Sequence, residues 1–166
     1  ACTEALFYYN MIGDEFIPWM GESYTYNDDF TEVVIKIRQG VEWSDGTPFT
    51  ANDVAFSLNM LLEHPDLQYA GEIIDTVQSA EVVDDLNVKV ILTGVNPRFV
   101  FDKLTFHADL GVPLVPAHVW QDQDPTTFSN YDPEQGWPLC TGAWELIYTD
   151  VQRKIWDLRE DWWGAK

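Results

Sequence analysis

Between Phe16 and Leu62 the hydrophobic pattern changes period twice, and this constrains the fold more than any other stretch of the chain. Val33, Ile35 and Ile37 alternate with Val34 and Lys36, the period of a strand with one face fully buried and the other partly so. Arg38-Gln39-Gly40 ends that run. Ser44-Asp45-Gly46-Thr47-Pro48 then reads as a turn, with Gly46 supplying positive φ. Thr50 follows as an N-cap, and Asp53 stands three residues on, where a carboxylate meets free amides and the positive end of a helix dipole. From there Val54, Leu58, Leu61 and Leu62 fall at helical spacing, and Phe56 and Met60 widen the apolar surface beyond one stripe. The spacing predicts a largely buried helix to about Leu62, stopped by His64-Pro65. A strand delivered through a tight turn into a buried helix makes this an α+β chain.

The remaining pattern is less regular. Leu67 to Ile74 reads as a second short helix. Val82-Val83, the turn Asp84-Asp85, and Val88, Val90 and Leu92 describe a hairpin. Asn96-Pro97 opens a helix through Leu104 with Pro97 at its first position, Val112 to Pro116 is extended, and Ala117 to Gln121 makes one helical turn. The Asp- and Pro-rich stretch from Asp122 to Pro138 is a surface loop. Trp144, Leu146 and Tyr148, a turn at Asp150-Val151-Gln152, then Trp156 and Leu158 form a second hairpin, and Trp144, Trp156, Trp162 and Trp163 are expected in the core.

Charge and motif content exclude several functions. Nine Lys and Arg face 28 Asp and Glu, a net charge of −19, which leaves no basic patch for a nucleic acid or an anionic membrane face. Eight Trp, nine Phe and seven Tyr argue against disorder, and no apolar run approaches the roughly 20 residues of a membrane span. The chain opens at Ala1 without initiator Met or leader pattern, as a processed or excised chain does, so its start is silent about compartment. Cys2 and Cys140 leave open whether they pair. No nucleophile elbow, phosphate loop, dinucleotide fingerprint, HExxH or CxxC occurs. His64, His107 and His118 share no metal-ligand spacing, and Asp122-x-Asp124-x-Thr126 fails as a calcium loop because Thr127 and Pro133 replace the required Gly and Glu. Among 28 acids a pair such as Asp84-Asp85 carries no weight for hydrolase chemistry. The sequence calls for no metal and no cofactor.

Taken together, Ile17-Pro18-Trp19-Met20-Gly21-Glu22-Ser23, Ile37-Arg38-Gln39-Gly40-Val41, and Trp43-Ser44-Asp45-Gly46-Thr47-Pro48-Phe49-Thr50-Ala51-Asn52-Asp53-Val54 resemble the family 5 extracellular solute-binding proteins. These are the oligopeptide, dipeptide and nickel receptors of ABC importers. Val82-Val83-Asp84-Asp85, Asn96-Pro97-Arg98-Phe99, Val115-Pro116-Ala117-His118-Val119-Trp120, Thr141-Gly142-Ala143-Trp144 and Arg159-Glu160-Asp161-Trp162-Trp163-Gly164 follow in the family's order. Members are much longer and close two lobes on a ligand. The resemblance therefore implies a fragment of a periplasmic-binding-protein-like class II receptor: residues 1–115 as the accessory α+β domain, and residues 116–166 as a partial segment of one lobe with a β-hairpin at about 142–159. A cleft needs both walls, so the fragment is not expected to hold ligand as the whole does. Where the family often has Gly-Thr-Gly-Pro-Tyr, this chain has Cys140-Thr141-Gly142-Ala143-Trp144.

The resemblance implies a non-catalytic, monomeric receptor, periplasmic or extracellular, with any lipid anchor in a segment ahead of Ala1. It would capture an oligopeptide, or an oligosaccharide as the alternative, and hand it to permease subunits by closure. Trp43, Asp45, Gly46, Thr50 and Asp53 are structural on this view. Tyr69, in the loop after the first helix, and Trp137 and Thr141, ahead of the second hairpin, are the candidate ligand-binding residues. A free-standing carbohydrate-binding module is the competing class, and the capped helix argues against its usual all-β architecture.

Overall fold

The alternation at Val33, Ile35 and Ile37 becomes the centre of the molecule in the computed structural model, which describes residues 2–106 and 111–165. Strand β1 (Phe7–Asn10) pairs antiparallel with β2 (Glu15–Pro18), and β3 (Gly21–Tyr26) pairs with β4 (Glu32–Ile37). β5 (Val77–Asp84) and β6 (Asn87–Leu92) form the expected hairpin and complete an antiparallel sheet of order β3-β4-β6-β5. Val33, Ile35 and Ile37 of β4 and Val88, Val90 and Leu92 of β6 are buried on one face, while Val34 is partly exposed, the asymmetry the sequence implied. Helix α1 (Ala51–Glu63) packs on this sheet and buries Val54, Leu58 and Leu61. Asn59 of α1 bonds both backbone groups of Ala80 on β5, at 2.8 and 3.0 Å, so an amide side chain closes part of an otherwise open sheet edge.

The turn into α1 forms by local chemistry. Gly46 sits at φ +83°, Gly46 N donates to Trp43 O (3.0 Å), Trp43 N donates to Thr47 O (2.9 Å), and Asp45 accepts Thr47 N (2.9 Å). Thr50 accepts from Asn52 N, and Asp53 Oδ2 accepts Thr50 N at 2.8 Å, closing a capping box. Asp53 reaches further, accepting Ala117 N at 2.9 Å, while Ser57 Oγ accepts Val115 N at 2.9 Å. Two polar side chains of α1 thus hold the extended segment that leads to α4 (Ala117–Trp120).

Three local expectations need correction. The second helix, α2, covers only Ala70–Ile74, because Tyr69 adopts φ +72° and cannot continue a helix backwards. α3 (Phe99–Leu104) starts two residues after Pro97, since Asn96 Oδ1 takes the amide of Arg98 and makes a side-chain turn first. The β1–β2 hairpin escaped the periodicity reading because its strands are four residues each, and β7 (Thr105–Phe106), which pairs parallel with β1, is shorter still. The C-terminal hairpin, β8 (Trp144–Thr149) with β9 (Lys154–Leu158), forms as a two-stranded sheet. Trp144 is not in the core; it is 48% exposed, because no other strand among the described residues pairs with this hairpin. Trp156, Trp162 and Trp163 are half-buried.

Two tests follow from this packing. A Cβ placed on Gly21 lies 2.5 Å from the ring of the fully buried Phe7, so Gly21→Ala is expected to lower unfolding free energy by about 1–3 kcal/mol in urea titrations. Burial, opposed by hydrogen bonds from Thr50 and Ala117, raises the pKa of Asp53 above its usual value, so the folded state holds this proton more tightly than the unfolded state. The Asp53 contribution to stability is therefore largest at low pH and declines as pH rises from about 4 through its folded pKa. The stability difference between the parent and Asp53→Asn, measured by urea unfolding between pH 3.5 and 7, should shift against the parent over that interval and then level off.

Candidate ligand cleft

The strand-leading segment Thr3–Leu6 forms one wall of a cleft of about 590 Å³, and Tyr8, Tyr69, Leu104, Phe106, the stretch Gly111–Leu114 and Trp144 complete it. Each wall has a local cause. β1 and the short parallel β7 place Tyr8 and Phe106 side by side, with ring centroids 5.7 Å apart. Tyr69 enters from the N-terminus of α2 on a left-handed backbone that a non-glycine residue adopts only when its surroundings hold it there. Trp144 is the first residue of β8, and its exposed ring borders the cleft.

Among the described residues, Glu4 is the charged residue of this lining. Its carboxylate accepts the Tyr8 hydroxyl, and its backbone amide donates to Thr141 Oγ1 at 2.9 Å. Burial first, then the hydrogen bond and the negative charge of Glu4, push the Tyr8 phenol well above its ordinary pKa, so Tyr8 remains a donor at all physiological pH.

Behind the cleft the chain is stapled together. Cys2 and Cys140 are joined in a disulfide across a sequence separation of 138, and Gly142 N donates to Cys2 O at 2.9 Å. Arg159 is buried; its Nη1 donates to Cys140 O (2.9 Å) and Gly142 O (3.2 Å), its Nη2 to Trp43 O (3.3 Å), and Ser44 Oγ accepts Cys140 N (3.0 Å). The turn before α1 is therefore wired to the base of the C-terminal hairpin. His118 Nε2 lies 2.9 Å from Asp45 Oδ2 and adds a link between the same turn and α4.

Of the three residues singled out from the sequence, Tyr69 lines the cleft. Thr141 is fully buried behind it, its hydroxyl on Glu4 N and its carbonyl accepting the indole N–H groups of Trp162 (3.0 Å) and Trp163 (2.7 Å). Trp137 lies away from the cleft, edge-on to Phe128, which in turn stands edge-on to Trp120. The cleft residues Glu4, Tyr8 and Phe106 went unnoticed in the sequence, where the one signal was the aromatic density of Phe7-Tyr8-Tyr9, and Trp144 was assigned to the core instead of the cleft. Among the described residues no group of three His, Cys, Asp or Glu is arranged to hold a metal ion, and no helix is long and apolar enough to cross a membrane. His107 lies outside the described residues.

A concave, largely apolar and aromatic lining with few polar groups is what small-molecule sites generally have. The family model of bacterial extracellular solute-binding proteins, family 5 (middle region), matches residues 15–166, and the chain belongs to that family. The glutathione-binding protein GsiB of Shigella flexneri serotype 5b is 28% identical over 128 residues, covering 76% of this chain and 23% of the relative. A periplasmic oligopeptide-binding protein of an oligopeptide ABC transporter from Thermotoga maritima superposes with a TM-score of 0.79 at 24% identity, over 99% of this chain and 29% of that one. The oligopeptide-binding protein AppA of Bacillus subtilis, solved with a nonapeptide, gives 0.81 at 17% identity, over 98% and 31%. These likenesses establish the α+β fold of a periplasmic binding protein, and the chain spans less than a third of the length of each.

The disulfide closes the longest loop in the molecule, so replacing Cys2 and Cys140 by Ser should cost about 3–5 kcal/mol on a chain-entropy estimate. Denaturant midpoints measured with and without a dithiol reductant check this: the parent should fall on reduction, and the double variant should not respond.

Proposed function

We propose that this chain is part of a non-catalytic receptor that captures oligopeptides outside the cytoplasmic membrane and delivers them to an ABC importer. On this reading residues 1–115 are the accessory domain and residues 116–166 the beginning of one ligand-binding lobe. The observation that carries it is the cleft wall itself. Tyr8, Tyr69, Phe106 and Trp144 line an open cleft of about 590 Å³ on a scaffold of the family 5 fold. Aromatic walls of this kind accept varied side chains by packing, without needing one fixed partner atom for each. Ligand capture then acts by population shift. The liganded receptor favours a closed arrangement that the permease recognises, and the chain has no chemical step to perform.

The test is a thermal-shift screen of the intact receptor against di- to pentapeptides, manno- and gluco-oligosaccharides, and Ni²⁺. A ligand at 100 times its Kd stabilises the native state by about 2.7 kcal/mol, so a peptide ligand should raise Tm by several degrees. Sugars and Ni²⁺ should leave it unchanged. A shift with an oligosaccharide and none with peptides would replace this reading by sugar capture.

A further inference from the structure

Glu4 lines the cleft together with Tyr8, Tyr69, Phe106 and Trp144, and none of the ion pairs formed among the described residues involves it. Among the described residues, no Lys, Arg or His belongs to the cleft lining. We propose that Glu4 is the specificity-determining residue of the cleft and selects ligands that place a cationic group, an ammonium or guanidinium, between its carboxylate and the rings of Tyr8, Tyr69 and Phe106. The inference rests on the peptide reading above and names the kind of peptide.

Three features of the site support this. The first is preorganisation. The Glu4 amide is tied to Thr141 Oγ1, the neighbouring Cys2 is bonded covalently to Cys140, and Cys2 O accepts Gly142 N, so the backbone carrying the carboxylate is fixed before any ligand arrives. The second is hydrogen-bond supply. The Tyr8 hydroxyl donates to Oε2, and among the described residues Oε1 accepts no donor, which leaves it for a ligand N–H. The third is the surroundings. Aromatic faces attract a cation through their quadrupole, and they screen a charge far less than water does, so a carboxylate and rings acting on one cation reinforce each other. The many surface carboxylates of this acidic chain attract cations only over a screened range and do not orient them. Glu4 and Tyr8 also border a shallower recess with Tyr9, Asn10, Ile17 and Trp19, which gives a long side chain a second apolar surface to lie along.

Calorimetric titration of the intact receptor tests the inference with three N-acetylated peptide series built on tri- to penta-alanine: unsubstituted, with one Lys at each position in turn, and with norleucine at the same positions. The same peptides with a free N-terminus separate the α-ammonium from a side-chain ammonium. We expect one cationic placement to bind at least 10-fold more tightly than its neutral counterpart, and Glu4→Gln to remove that preference. Glu4→Gln leaves the backbone bond to Thr141 in place. As a check independent of any substitution, the affinity of the parent for the best cationic peptide should fall several-fold between 50 and 500 mM NaCl while the neutral affinity stays constant. If neutral peptides bind as well as cationic ones, or the preference survives in Glu4→Gln, this inference is overturned and peptide capture stands. If no peptide of any series binds while a sugar or Ni²⁺ does, peptide capture itself is wrong and this inference goes with it.

Discussion

A buried guanidinium sits where three parts of the chain meet, and the arrangement around it determines the shape of the cleft. Arg159 donates to the carbonyls of Trp43, Cys140 and Gly142, three groups that would otherwise be buried acceptors without full partners. A guanidinium carries five N–H donors in a planar fork, which is why one Arg serves three carbonyls where Lys would not. Its charge is balanced at the edge by Asp161, 3.5 Å from Nε and itself exposed. The bonds to neutral carbonyls, more than the ion pair, make the burial tolerable.

From that junction the geometry spreads in two directions. Through Trp43 it reaches the turn, the capping box and α1, whose Asp53 and Ser57 hold Ala117 and Val115. Through Cys140 and Gly142 it reaches Cys2 and hence the segment Thr3–Leu6, one wall of the cleft. The disulfide and the Arg159 bonds act on the same few residues from opposite sides. The cleft wall is thereby tied to the turn before α1, which packs on the four-stranded sheet, although the wall itself is largely irregular backbone.

The parts of this arrangement that were legible in the sequence are those set by neighbours a few residues apart. The Gly46 turn, the Thr50–Asp53 cap and the β4 and β5–β6 patterns depend on short-range spacing, and spacing is what a sequence displays. Tyr69 was singled out through the family resemblance, not through its own pattern. Arg159 was invisible as an organiser because its partner Trp43 is 116 residues away. Glu4 was invisible for a different reason: one acid among 28 has no distinguishing mark until its surroundings are known. Trp144 shows the limit of alternation. Period two tells which residues share a face of the β8–β9 hairpin, but not whether anything covers that face.

Tyr69 links backbone strain to the cleft. A tyrosine at φ +72° is disfavoured by contacts of its own Cβ, at a cost of about 1–3 kcal/mol. A glycine there would relieve the strain and lose the ring. The observed residue keeps the ring, which packs partly on the core and partly faces the cleft. Ala70 N donates to Leu67 O and Ile73 N to Tyr69 O, so the left-handed turn is locked on both sides by the backbone of α2 and its approach. Packing alone does not require this conformation, since an ordinary helical backbone could extend α2 backwards and bury an apolar side chain at the same place. What the left-handed turn does is end the helix on its N-terminal side and leave the Tyr69 ring among the residues that line the cleft. The sheet, the disulfide and the Arg159 junction supply the stability that tolerates the strain held at that point.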